Sequence, residues 1–290
     1  CRAGLSFTFY RMSHRSRPLT WPASPTRRVL VIAAILGAGV LITASRALAA
    51  EPDTDSSAPL VAAASDLKFA LDEILARLRA ETGIAARIAY GSSGTFARQI
   101  MRGAPYEVFL SADEQFVQEL HAQGLTRGTG DLYAIGRLAL FAPTGSPLRP
   151  DPRMDDLARR VASGQLGRFA IANPEHAPYG RAAEQALRAR GLWPALRPRL
   201  VLGENVAQAA QFASGGDTEG GLIAYSLALS PELRSRGTFA LVPDSMHAPL
   251  RQRMVLLQGA TPAAERLYEY LRSPPSREIL ARYGFVLPAE

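Results

Sequence analysis

The feature that most restricts what this chain can fold into is an alternation, beginning at Pro59, of short apolar runs with amphipathic stretches. Leu60–Ala64 is an apolar run of strand length. Ser65 then opens a stretch with Leu67, Leu71, Ile74, Leu75 and Leu78 at helical spacing, stopped by Gly83. Residues 84–90 predict a second strand, Gly91-Ser92-Ser93-Gly94 a tight loop, 95–101 a helix and 106–110 a third strand. Strands are expected again over 138–141, 169–172, 222–225 and 239–242, and helices over 182–190, 206–213, 263–271 and 277–283. A strand and helix pattern of this kind buries its apolar faces as an α/β architecture, with parallel or mixed sheets covered by helices on both faces. The 290 residues leave room for two lobes of ordinary domain size.

Charge looks at first like a nucleic-acid signature, with a formal net charge of +7. Of the 33 Lys and Arg, however, seven Arg fall within residues 1–49, which hold no Asp or Glu, leaving 26 basic residues to face the 26 acidic ones. The body of the chain is neutral, so no phosphate-backbone footprint and no nucleic-acid partner are expected. The one cysteine is Cys1, which excludes disulfides, thiolate metal sites and a Cys nucleophile from the body. The one lysine, Lys68, follows Leu67, so there is no Gly-Lys-Ser/Thr phosphate loop.

The basic excess belongs to a leader. Arg27-Arg28 precede an apolar run over 29–43, and Ser45-Arg46-Ala47-Leu48-Ala49-Ala50 follows it. This is the order of a secretory signal, with cleavage expected after Ala49. The competing reading is an uncleaved anchor, since 29–50 approaches the length of a spanning helix. Arg46 and the closing Ala-Leu-Ala favour cleavage, and no Cys is placed for a lipid anchor. Met12 is a natural initiator, and 50–58 is a polar tether.

The informative positions are strand-to-helix junctions built of small residues and hydroxyls. At Ala64-Ser65, and again at Gly91-Ser92-Ser93-Gly94, free first-turn amides and a serine hydroxyl point beyond the carboxyl end of a sheet. Two such junctions in an open sheet can converge on one crevice. Taken alone, Ser65 reads equally as an N-cap and Ser92-Ser93 as a polar turn. An anion suits a site of this kind, because helix N-termini carry partial positive charge. No Lys or Arg sits in either junction, so the donors are neutral N–H and O–H groups, which hold a fully deprotonated oxyanion and offer nothing extra to a protonated one. Asp66 reads as a first-turn acid favoured by the helix dipole and facing solvent. His176, between prolines, reads as loop scaffolding, and His121 and His247 as surface or turn residues. Tyr225, at the end of an apolar strand, reads on its own as a core tyrosine.

The words Ala62-Ala63-Ala64-Ser65, the loop from Gly91 through Ile100, Gly103-Ala104-Pro105, Val108-Phe109-Leu110-Ser111-Ala112-Asp113, Asn173-Pro174-Glu175-His176-Ala177-Pro178-Tyr179-Gly180 and Arg282-Tyr283-Gly284-Phe285 occur in order over nearly the whole body. With them the chain resembles the periplasmic molybdate-binding proteins of ABC transporters. The resemblance implies a two-lobed type II periplasmic binding fold, each lobe a mixed, mostly parallel sheet flanked by helices. Residues 59–139 with 241–290 would form lobe 1, and 140–240 lobe 2. It further implies an oxyanion, molybdate or tungstate, held without counter-ions by Ser65 and Ser93 through hydroxyl and amide, by the amides of Tyr179 and Val206, and by the Tyr225 hydroxyl. Asp66, Gly94 and Tyr179 depart from the family pattern. Metal would enter only as the intact oxyanion, with no cofactor. The partners would be an ABC permease and its ATPase, and the protein a periplasmic monomer without enzymatic activity.

Two rivals remain at this level. One is a binding protein of the same fold for sulfate or a small organic anion, although organic carboxylates are usually clamped by an Arg that neither junction has. The other is a secreted serine hydrolase with Ser93 as nucleophile, although Thr95 stands where the Gly-x-Ser-x-Gly elbow needs glycine.

Overall fold

The structure is a computed structural model that describes residues 58–289, so the leader, its cleavage site and most of the tether lie outside the described residues. Among the described residues, ten strands form two five-stranded sheets. They are β1 (Leu60–Ala64), β2 (Arg87–Gly91), β3 (Val108–Ser111), β4 (Asp131–Gly136), β5 (Leu138–Pro143), β6 (Phe169–Ala172), β7 (Leu200–Gly203), β8 (Gly221–Ala224), β9 (Gly237–Leu241) and β10 (Leu250–Leu256). The first sheet has the order β2-β1-β3-β10-β4 and the second β7-β6-β8-β5-β9. In each, three strands run parallel and the fourth in spatial order, β10 or β5, pairs antiparallel with both its neighbours. The two sheets therefore share one topology.

Strand alternation explains why helices cover both faces. In the first sheet Val61, Ala63, Val108, Leu110 and Met254 pack on one side with Leu67, Leu71, Ile74 and Leu78 of the helix Lys68–Thr82 and with Leu267, Leu271 and Leu280. Ala62, Phe109 and Val255, the intervening residues, pack on the other with Phe96, Ile100, Val117 and Leu120. Successive side chains on a strand point to opposite faces, so one sequence of near-continuous apolar residues feeds two cores. The helix Lys68–Thr82 ends where Gly83 adopts φ 75° and its amide bonds the Arg79 carbonyl at 2.9 Å, a left-handed cap that glycine takes without strain.

The chain crosses between the sheets twice, from β4 to β5 through Arg137 and from β9 to β10 through 242–249. Leu138, Ala139 and Leu241 consequently belong to the second sheet, not to the first lobe as the sequence suggested, because the apolar run that forms β5 begins directly after the Gly136-Arg137 crossing. Strand 222–225 also shifts: β8 covers Gly221–Ala224, and Tyr225 opens a short helix, Tyr225–Ala228.

Gly221 sits in the middle of the second sheet, where a Cβ would lie 2.5 Å from the Ala170 carbonyl oxygen and 2.9 Å from the Ala213 Cβ of the helix Val206–Ser214. Glycine in a strand interior here marks close approach of sheet and helix. Gly221→Ala is expected to lower the unfolding free energy by about 1–3 kcal/mol through overpacking, as measured by urea denaturation.

Candidate functional site

Register places the site. Ala64 of β1 pairs with Gly91 of β2, so both strands end at the same level, and Ser65 and Ser92-Ser93 leave the sheet side by side. In the second sheet Ala172 of β6 pairs with Gly203 of β7, so the segments leading to Tyr179 and Val206 also leave together. Four helical starts meet there. Ser65 opens a single 3-10 turn that runs on into Lys68–Thr82, Ser93 opens the helix Ser93–Met101, and Tyr179 lies in the first turn of Pro178–Ala189. Val206 is the first residue of Val206–Ser214, which is capped by the Asn205 side chain at 3.0 Å from the Ala207 and Gln208 amides. First-turn amides have no intrahelical acceptor, and Pro178 removes one such donor at its own helix start.

Ser65, Asp66, Ser92, Ser93, Tyr179 and Val206 line one cavity, with Ala, Gly and Pro between them. It is about as large as a single water molecule and has no Lys or Arg in its wall. The hydroxyls have defined roles. Ser65 Oγ accepts from the Ala207 amide at 3.2 Å and Ser93 Oγ from the Ala112 amide at 2.9 Å. With the oxygen already accepting, the proton of each hydroxyl is available to donate. Ser92 differs, since it donates to the His176 carbonyl at 2.5 Å.

His176 ties the two sheets together. Its carbonyl also accepts from the Gly94 amide at 3.1 Å, and its ring lies 3.1 Å from Ser92 Oγ through Nδ1 and 3.5 Å from Glu204 through Nε2. Gly94, a departure from the family pattern, is explained by this contact, because a Cβ there would lie 2.6 Å from the His176 oxygen. His247, expected at the surface or in a turn, lies in the bend before β10 and is buried, with Nδ1 2.8 Å from the Ala248 carbonyl.

Two expectations from the sequence need correction. The Tyr225 ring does not line the cavity. It packs edge-on to Phe239 at 5.9 Å, lies 5.7 Å from the Arg137 guanidinium and covers Gly284. Because β8 stops at Ala224, the residue that turns toward the first sheet is the next one, Ser226, whose hydroxyl donates to the Asp66 carbonyl at 2.8 Å. Asp66, in turn, does not face solvent: it is 1% exposed. Its Oδ2 accepts from the Tyr179 hydroxyl at 3.0 Å and from Gln252 Nε2 at 2.6 Å, while Gln252 Oε1 accepts from Tyr133 at 2.8 Å. Tyr179 thus contributes a side chain as well as an amide, and Gln252, from β10, is a residue that sequence reading passed over.

Burial pushes the Asp66 carboxyl up to about 6, against the hydrogen bonds from Gln252, Tyr179 and nearby amides, which favour the carboxylate. Burial likewise drives the Tyr179 and Tyr133 phenols well above their ordinary range, with the Asp66 charge adding to it, so both stay neutral donors.

Neutral donors gathered between two sheets, with no basic side chain beside them, suit a small anion. Comparison with known proteins agrees. The chain belongs to the bacterial extracellular solute-binding proteins, whose family model matches residues 59–286. The molybdate-binding protein ModA of Rhodobacter capsulatus is 36% identical over 230 residues, covering 78% of this chain and 87% of that one. Its counterpart in Azotobacter vinelandii is 34% identical over 261 residues, 89% and 97% of the two chains. The solved Azotobacter vinelandii periplasmic molybdate-binding protein superposes with a TM-score of 0.71 at 30% identity, covering 80% of this chain and 100% of that one.

The raised Asp66 value has a sign that can be tested. The folded chain keeps a proton that the unfolded chain releases between about pH 4 and about pH 6, so this group's contribution to stability is lost as pH rises through that window. Relative to Asp66→Asn, the wild-type unfolding free energy is expected to fall by about 2 kcal/mol from pH 4 to pH 7, as measured by parallel urea melts.

Proposed function

We propose that this protein captures molybdate between its two sheets and delivers it to the permease and ATPase of an ABC importer from the periplasmic side. The observation that carries this reading is the disposition of Ser65 and Ser93. Backbone amides occupy their oxygens and leave both hydroxyl protons to donate, beside the first-turn amides of Tyr179 and Val206. These donors suit a dianion held without a counter-ion, since an anion at helix N-termini is stabilised by aligned peptide dipoles and unpaired N–H groups. The relatives named for molybdate make that oxyanion the first ligand to test. Tyr225 is left out of the proposed ligand set, and the protein is read as acting as a monomer that needs no cofactor.

The mechanism follows from the two crossings. Rotation at Arg137 and within 242–249 would part the sheets, admit the oxyanion and let the helix starts of both close on it, a hinge motion that the permease can sense. The hydrolase alternative named Ser93, but the serine that lies beside a histidine and a carboxylate is its neighbour Ser92, next to His176 and Glu204. There the Ser92 proton is committed to the His176 carbonyl and the hydroxyl is buried, which suits a latch between the sheets and not a nucleophile.

Titration calorimetry with molybdate, tungstate, sulfate and phosphate tests the proposal. Hydrogen bonds to a charged group are worth about 1.5–3 kcal/mol, so Ser65→Ala and Ser93→Ala are each expected to weaken molybdate binding by about ten- to a hundredfold, while Tyr225→Phe leaves it unchanged. Equal affinity for sulfate would defeat selection by size, and no heat with any of the four would defeat the assignment.

A further inference from the structure

Asp66 is the one acidic residue in the cavity wall, at the very place where an anion would be held. Oδ2 accepts from Tyr179 and Gln252, the backbone amides of Asp66 and Leu67 lie against the carboxyl, and Oδ1 is buried with no partner of good hydrogen-bond geometry. The helices packed over the turn, Val206–Ser214 and Tyr225–Ala228, carry no charged residue. The ionisable groups that face Asp66 from other elements are the phenols of Tyr179 and Tyr133. Lys68, two residues on, is turned to Asp72 at 2.9 Å and is exposed. On the Ser92 loop, His176 lies against Glu204.

A carboxylate so placed would repel a dianion, and no cation balances it. The same group with a proton has a donor to offer. Both hydrogen bonds to Oδ2 come from neutral donors and occupy that oxygen as an acceptor, so the atom free to carry the proton is Oδ1. Resting on the reading of the cavity as an oxyanion site, we propose that Asp66 takes part in binding as a neutral carboxylic acid, taking one proton from solvent as the oxyanion enters and sharing it with a ligand oxygen. An O–H bond forms at Oδ1 as one breaks in the solvent donor, and no other covalent bond changes. One proton and one dianion enter together, and the carboxylate charge that would oppose the ligand is removed. Capture then depends on pH through the protein, over a range where molybdate is itself a dianion.

The raised pKa of Asp66 fits this account and sets the window: above about pH 6 each further pH unit leaves about ten times less of the competent form. The test is calorimetric titration of the protein with molybdate from about pH 6 to about pH 8, in buffers of different ionisation heat, for wild type and Asp66→Asn. Asparagine keeps the shape of aspartate and supplies a permanent N–H donor. The expected result is a wild-type affinity that weakens on the order of fiftyfold across that range, with close to one proton taken up per molybdate at the upper end. Asp66→Asn should bind with no such slope and no proton uptake. A wild-type affinity flat with pH, or a slope that survives Asp66→Asn, would overturn the proposal. So would tighter binding of phosphate than of molybdate at the upper pH, because an ionised Asp66 would then be accepting a proton from the ligand. Absence of molybdate binding by wild type and Asp66→Asn at every pH would instead refute the molybdate reading on which it rests.

Discussion

The structure depends on a matter of register. Two pairs of parallel strands end level with each other, Ala64 with Gly91 in one sheet and Ala172 with Gly203 in the other, so four chain segments begin to coil at one place. Parallel strands make this possible because their carboxyl ends lie on one edge, where an open α/β sheet leaves a crevice. Each segment brings amides that its own helix cannot satisfy. The small residues at the junctions let those helix starts approach closely: Gly94 meets His176 and Gly180 meets the Ala172 carbonyl at distances that leave no room for a Cβ. The proposed anion site needs no basic side chain, because this packing supplies its donors.

That absence gives Asp66 its importance. Two unit charges 4 Å apart interact by about 4 kcal/mol at the effective dielectric of a protein near its surface, and an unpaired buried charge is costlier still. An arginine nearby would have paired with Asp66 and fixed it as a carboxylate. Here the partners are an amide and a phenol, neutral groups that satisfy one oxygen and leave protonation open. Polar networks in a low-dielectric interior are sensitive to each member, and this one joins the two sheets: Asp66, Gln252 and Tyr133 belong to the first, Tyr179 to a helix of the second.

Much of the fold was legible. Apolar runs such as Leu60–Ala64 and Phe169–Ala172 are buried on both faces and read as strands from composition alone. The strands that escaped notice were β4, β7 and β10. β10 reads Leu-Arg-Gln-Arg-Met-Val-Leu, with two arginines that pair with Glu114, so its apolar residues do not form an unbroken run. β7 lies at a sheet edge and exposes Leu202, where pattern is weak. Within the site, the cavity gathers Ser65, Ser93, Tyr179 and Val206, whose junctions carry local signals. Asp66 was misread because a first-turn acid normally faces water, and the residue that holds it inside, Gln252, is 186 positions away. Tyr225 was misread by one residue, since the strand before it stops at Ala224 and the helix that follows swings its ring toward Phe239.

The crossing and the site are not independent. Gly136, the last residue of β4, has no side chain, and a Cβ there would lie 2.3 Å from the Tyr179 hydroxyl and 2.5 Å from Gln252 Nε2. The two groups that hold Asp66 therefore rest directly on the backbone where the chain passes from one sheet to the other. Any rotation at Arg137 must move Gly136 against Tyr179 or Tyr179 away from Asp66, because Tyr179 travels with the second sheet and Gln252 with the first. Parting the sheets as proposed would strip the carboxyl of its phenol partner and admit water to it, and closing them would restore both the burial and the hydrogen bond. The proposed protonation of Asp66 and the proposed closure of the molecule would in this way be one equilibrium, coupled through a glycine that occupies no space of its own.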